Sequence, residues 1–169
     1  MAAPQPLHPR THSWRPRPEA TPDIEHMTGR EILQEALDGR FPEAPIMSTL
    51  GFRLVQVGDG TVVFEGEPGD HLLDPMGSVH GGFVTALLES ALAAAVMTRL
   101  PGATRSTSVQ IGIHVLRPVR IDTRTLRCEG TAIHVGPTTA SAEARLLGVT
   151  DGDLYAHANS TCAILRIIQ

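Results

Sequence analysis

The stretch from Phe83 to Met97 constrains this chain more than any other. Read at 3.6 residues per turn, it is apolar nearly all round, with Phe83, Val84, Ala86, Leu87, Leu88, Ala91, Leu92, Val96 and Met97. A helix of that kind is buried rather than laid on a surface. It is shorter than a membrane span and it contains Glu89, so it reads as the centre of a core. The spacing predicts a helix from about His80 to Thr98, closed by Leu100-Pro101-Gly102. The rest of the 169 residues must wrap it, and that length makes one ordinary domain.

The wrapping material is strand-like. Leu50 to Val57 and Thr61 to Glu67 flank Gly58-Asp59-Gly60, a hairpin signal. After the helix, Ser108 to Val115 alternates strictly, which predicts Val109, Ile111, Ile113 and Val115 on one buried face. Runs at about Thr123 to Val135, Thr138 to Val149 and Asp153 to Ile167 follow, separated by turn residues at Arg120-Ile121-Asp122, Gly136-Pro137 and Asp151-Gly152-Asp153. Ala140, Ala142 and Ala144 share a face, so a bulky element must pack close there. Short connections favour antiparallel pairing. One curved antiparallel sheet around one long central helix, an α+β fold, is the simplest solution.

Ahead of this lies a short helix opened by the capping box Thr28-Gly29-Arg30-Glu31 and stopped near Gly39, then a loop with Pro42 and Pro45. Residues 1–22 hold six of the thirteen prolines and are predicted to be a disordered tail, leaving 23–169 as a single domain. Pro4, Pro6, Pro9, Pro16 and Pro18 prevent the amphipathic helix of a transit peptide, and no apolar signal segment is visible, so a cytoplasmic location is expected.

Composition excludes several functions. A net charge of −4 argues against a general nucleic-acid binder. Cys128 and Cys162 form no Cys-x-x-Cys, which excludes a disulfide scaffold or cysteine zinc knuckle and leaves two reduced, partly buried thiols as the expectation. His114, His134 and His157 lack metal-ligand spacing, so no metal is expected. No Gly-x-Ser-x-Gly, P-loop or complete dinucleotide fingerprint occurs.

Two features remain that carry chemistry. Glu89 is a lone carboxylate on a helix face with Gly82, Ala86, Leu92, Ala93 and Val96. Burying it requires a reason: a salt bridge to a strand arginine, or a role as general base or nucleophile. His80-Gly81-Gly82 begins the same helix. Glycines there let a ligand approach free backbone N–H groups, an arrangement suited to an oxyanion forming on a carbonyl. A glycine-rich turn capped by His80 is the plainer reading of the same residues.

Taken together, Asp74, His80, Gly81 and Glu89 resemble the pattern of the hot-dog-fold acyl-CoA thioesterases of the PaaI-like type. The resemblance covers about residues 45–167 and rests on the run His71-Leu72-Leu73-Asp74-Pro75-Met76-Gly77-Ser78-Val79-His80-Gly81-Gly82, then Glu89, then Leu116-Arg117-Pro118-Val119. It implies a hot-dog fold whose subunits join sheets edge to edge, with active sites at the interface of a homodimer or of a tetramer built as a dimer of dimers. It implies an acyl-CoA substrate, with coenzyme A as part of the substrate rather than a cofactor. Glu89 would be base or nucleophile, the Gly81 N–H would polarise the thioester carbonyl, His80 would hold the loop or the thioester, and Ser108 would orient water or the carboxylate. Gly82, Arg117 and Arg120 are the residues expected at the substrate.

Two departures stand out. Asp74 replaces the family's usual amide, and an ionised Asp only accepts hydrogen bonds. The turn at Gly136-Pro137-Thr138 lacks the basic residues that relatives carry. The rival readings are a hydratase or dehydratase on the same fold, whose motif the loop from Pro68 to Gly82 does not show, and a non-catalytic acyl-CoA-binding or regulatory module.

Overall fold

The computed structural model describes residues 7–11, 13, 14 and 26–166. Two short helices, α1 (Gly29–Leu37) and α2 (Pro45–Leu50), lead into strands β1 (Phe52–Val57) and β2 (Thr61–Gly66). The long helix α3 (Gly81–Met97) follows, then β3 (Thr104–Val115), β4 (Leu126–Val135), β5 (Thr139–Gly148) and β6 (Leu154–Arg166). The capping box of α1 is present. The Glu31 N–H donates to Thr28 Oγ1 at 3.3 Å, and the Thr28 N–H donates to Glu31 Oε2 at 2.8 Å. Helix α2 corrects the expected loop: Pro45 sits at its first turn, where the missing N–H costs nothing and the fixed φ is already helical.

All six strands form one antiparallel sheet in the order β1-β2-β4-β5-β6-β3. Helix α3 crosses its inner face, and Leu87, Leu88, Ala91, Leu92, Ala95 and Val96 are completely buried. Each such leucine contributes about 1.5–3 kcal/mol by leaving water. The alanine stripe does what its spacing implies. Ala140, Ala142 and Ala144 lie buried beneath α3, beside Ala156 and Ala158 of β6. At Gly130 of β4 a β-carbon would collide with the Ala91 carbonyl, so only glycine allows the helix to sit this close.

Strand β3 departs from the expected alternation. Its register against β6 slips between Ser108 and Gln110, a bulge at Val109. Ser106 and Ser108 take the inner side before the bulge, and Ile111 and Ile113 pack toward the core after it. Val109 and Val115, expected inside, are 62% and 57% exposed. The extra residue switches the inward positions from Ser106 and Ser108 to Ile111 and Ile113 and turns Val109 outward, while Val115 is exposed where β3 ends.

The two edges of the sheet differ. Strand β1 packs against α1 and α2, whereas the outer edge of the twelve-residue β3 has no partner strand among the described residues. Most of the predicted tail lies outside the described residues. Of those described, Arg10 Nη1 donates to the Thr49 carbonyl at 2.6 Å and His8 lies 3.5 Å from Asp70. No helix among the described residues is long and apolar enough to cross a membrane.

Candidate functional site

Helix α3 starts at a loop held by its own backbone. The His80 N–H donates to the Leu72 carbonyl at 2.8 Å, and the Val79 N–H to the Val119 carbonyl at 3.0 Å. That second bond sets the segment Arg117 to Arg120 beside the helix start. Between these ties Asp74 closes a turn. Its Oδ1 accepts from the N–H groups of Met76 at 2.8 Å and Ser78 at 3.0 Å, and its own N–H donates to the Ser78 carbonyl at 2.7 Å. Gly77 in that turn has φ of 82°, which favours glycine. Asp74 therefore works as an acceptor bracing the loop, the one task an ionised carboxylate does as well as an amide oxygen.

His80 is the N-cap of α3, and its Nδ1 accepts the Gly82 N–H at 2.9 Å. That bond occupies one of the helix's free donors and fixes the ring proton on Nε2. The Gly81 N–H has no partner among the described residues, Gly81 is exposed, and a β-carbon there would meet nothing within 4 Å. An open N–H at the positive end of a buried helix is a ready hydrogen-bond donor to developing negative charge.

Glu89 is half-buried two turns further on, and no arginine pairs with it among the described residues. Within one chain the described residues supply no salt bridge to account for this carboxylate. Its Oε1 instead accepts from Ser108 Oγ at 3.4 Å, a contact between α3 and β3. So the structure brings Glu89 and Ser108 together, and likewise His80 and Gly82. It does not bring Glu89 to Gly81: eight residues on one helix separate them by about 12 Å along the axis.

The two arginines expected at the substrate have carboxylate partners. Arg117 Nη1 is paired with Asp153, and Arg120 Nε lies 3.7 Å from Asp122, with both arginines exposed. His71 belongs to a single 3-10 turn, Asp70–Leu72, where burial and the nearby charge of Arg10 hold its imidazole below the ordinary histidine pKa. Two concavities of about 510 and 380 Å³ open beside Trp14 and Phe41 and beside Phe52 and Glu65, and neither contains Glu89, Ser108 or Gly81. Among the described residues no group of three or more His, Cys, Asp or Glu is placed to hold a metal ion.

Two residues behind Ser108 were not assigned to the site from the sequence, where Cys162 reads only as a reduced thiol. Ser160 and Cys162 of β6 are buried, and Cys162 Sγ lies 3.9 Å from Ser108 Oγ. Their signal was the alternation Ala156, Ala158, Ser160, Cys162, which puts two polar side chains on the inner face of a core strand.

A family model described as the thioesterase superfamily matches residues 76–154, the span that holds the helix start, Glu89 and Ser108. Among solved structures, a phenylacetic acid degradation-related protein from Ralstonia eutropha superposes with a TM-score of 0.70 at 25% identity, covering 78% of this chain and 98% of its own. The chain has the PaaI-like hot-dog fold of the thioesterase superfamily. The phenylacetic acid degradation protein PaaI of Thermus thermophilus, in a variant with one asparagine replaced by aspartate, shares this hot-dog fold at TM-score 0.63 and 26% identity, over 71% of this chain and 98% of its own. A thioesterase from Haemophilus influenzae shares it at TM-score 0.68 and 18% identity, over 92% of this chain and 96% of its own. No curated protein matches the sequence significantly. The general chemistry that goes with the hot-dog thioesterase match is hydrolysis of acyl thioesters.

Proposed function

We propose that this protein hydrolyses acyl-CoA thioesters to the free acid and coenzyme A, and does so as a homodimer or larger assembly. The observation that carries this reading is Glu89, a half-buried carboxylate with no arginine partner among the described residues, paired with the Ser108 hydroxyl of β3 and carried on a helix whose first N–H is open. Because Gly81 and Glu89 of one chain are about 12 Å apart, one thioester carbonyl cannot use both. A second copy laid beside the unpaired edge of β3 supplies the missing half, with Gly81 of one copy facing Glu89 of the other. The exposed Val109 and Val115 on that strand favour such a cover.

In this arrangement the Gly81 N–H donates to the thioester carbonyl oxygen as it becomes negative. Glu89 acts in one of two ways. As a base it takes a proton from water while the water oxygen bonds to the carbonyl carbon. The carbon–sulfur bond then breaks, and the thiolate of coenzyme A recovers the proton. As a nucleophile its oxygen attacks the carbon directly, expels the thiolate, and leaves an anhydride that water opens. Ser108 orients Glu89 in either case. His80 holds Gly82 and keeps its Nε2–H for the substrate. Arg117 and Arg120, beside the helix start, are the candidates for coenzyme A phosphates, reached by exchanging Asp153 and Asp122 for phosphate. No metal or cofactor enters the reaction. A panel of short-chain, long-chain and aryl acyl-CoAs assayed for released thiol tests the reading: hydrolysis of at least one is expected, and binding without turnover across the panel would replace it by a non-catalytic acyl-CoA module.

A further inference from the structure

A hydroxyl is a free rotor, and at 3.4 Å Ser108 holds Glu89 by a long bond. What keeps it aimed lies behind it, on β6. Ser108 and Cys162 are direct register partners across β3 and β6, with Oγ and Sγ 3.9 Å apart. Cys162 Sγ is in turn 3.8 Å from Ser160 Oγ. Both β6 side chains are buried, Cys162 at 0% and Ser160 at 3% exposure. Their register partners on β5 are Ala140 and Ala142, which offer neither donor nor acceptor from their side chains. The direction of the bonds follows from chemistry. An ionised carboxylate only accepts, so Ser108 gives its one proton to Glu89. Its oxygen is left to accept, and the donor in reach is the Cys162 thiol. The thiol's sulfur then accepts from Ser160.

We propose that Ser160, Cys162 and Ser108 form a one-way hydrogen-bond chain ending on Glu89, in which Cys162 and Ser160 are positioning residues that hold the Ser108 hydroxyl on the carboxylate. This rests on the reading of Glu89 as the reacting group. The bulge at Val109 is part of the device, because it lets Ser108 face Cys162 while Ile111 and Ile113 stay against the core. Chained hydrogen bonds in a poorly solvated site strengthen one another, so the effect of Cys162 reaches Glu89 only through Ser108.

The test is a double-mutant cycle in the full-length protein with the best acyl-CoA. Cys162→Ala lowers kcat about two- to tenfold, the worth of one hydrogen bond, and leaves KM unchanged. Cys162→Ser, which restores a donor, recovers most of the loss. In a Ser108→Ala background Cys162→Ala has no further effect. Wild-type kcat in Cys162→Ala, or the same fold-loss in both backgrounds, overturns the proposal. A second readout needs no turnover: the infrared S–H stretch of Cys162, isolated in the difference spectrum between wild type and Ser108→Ala. A shift of that band supports the chain, and an unmoved band overturns it. A shifted band in a protein that hydrolyses no acyl-CoA would sink the thioesterase reading while leaving the bonding chain in place.

Discussion

The two ends of helix α3 are built from opposite materials. At its C-terminal end polar groups are tied to neighbouring segments. Thr98 Oγ1 donates to the Ala95 carbonyl at 2.7 Å and accepts the Gly60 N–H at 2.8 Å, and the Gly29 N–H donates to the Leu100 carbonyl at 3.0 Å. Thr98 and Leu100 are buried, at 5% and 4% exposure. At the N-terminal end His80, Gly81 and Gly82 are all exposed, and of the two glycine N–H groups only that of Gly82 is taken among the described residues. Both ends of a helix leave backbone groups without intrahelical partners. This chain satisfies them at the C-terminal end and, among the described residues, leaves the Gly81 N–H open at the N-terminal end.

Glu89, the carboxylate proposed to act with the open helix end of a second copy, carries the largest expected effect. Glu89→Gln should lower kcat by about a hundredfold or more with little change in melting temperature, read by steady-state assay and thermal melt. A variant at wild-type rate would remove Glu89 from the chemistry.

Gly81→Pro isolates the open N–H. Proline is well tolerated at a helix's first position, and His80 already has φ −59° and ψ 136°, which suits the residue before a proline. The fold should hold while kcat falls about 10²–10³-fold, the worth of one oxyanion donor. Unchanged turnover in a folded Gly81→Pro protein would mean the donor lies elsewhere.

Gly29→Val attacks the sealed end. A β-carbon there would collide with the Met97 carbonyl, so a loss of about 1–3 kcal/mol in stability is expected, seen as a melting temperature lower by several degrees. Activity per folded molecule should survive. If it falls with stability unchanged, the two ends are not functionally separate.

The smallest effect belongs to Asp74. Asp74→Asn keeps an oxygen for the Met76 and Ser78 N–H groups, so stability should stay within about 0.5 kcal/mol and kcat should hold or rise. Asp74→Ala loses both bonds and should cost about 1–2 kcal/mol in a denaturant melt. Equal losses in the two variants would show that the charge, not the acceptor, is what matters there.

Much of this was legible beforehand. The capping box at Thr28, the helix from His80 and the stripe at Ala140 to Ala144 appear where periodicity and cap chemistry place them. These are local signals, each decided by residues within a turn or two. Val109 was misplaced because a bulge is a property of pairing, and nothing in an alternating run says that its partner strand will skip a residue; Val115, in step with Ile111 and Ile113, is exposed because β3 ends there. Helix α2 was missed because Pro42 and Pro45 punctuate a loop as readily as they start a helix. Glu89 stood out as a lone charge among apolar neighbours, whereas Ser160 and Cys162 gave a weaker signal because small polar side chains on a core strand pass for packing.

By itself, then, the order of residues determined that one apolar helix had to be wrapped by strands, that it began at His80-Gly81-Gly82, and that a carboxylate sat eight residues beyond Gly81. Only the tertiary structure decided the strand order, in which β3, first after the helix in sequence, lies at the far edge beside β6. It also decided that Ser108 meets both Glu89 and Cys162, and that Asp74 turns back on its own loop. The reason is range. Helix periodicity, caps and turns are set by neighbours a few residues away, while register, bulges and the meeting of Ser108 with Cys162, fifty-four residues apart, are settled only when distant segments compete for the same core.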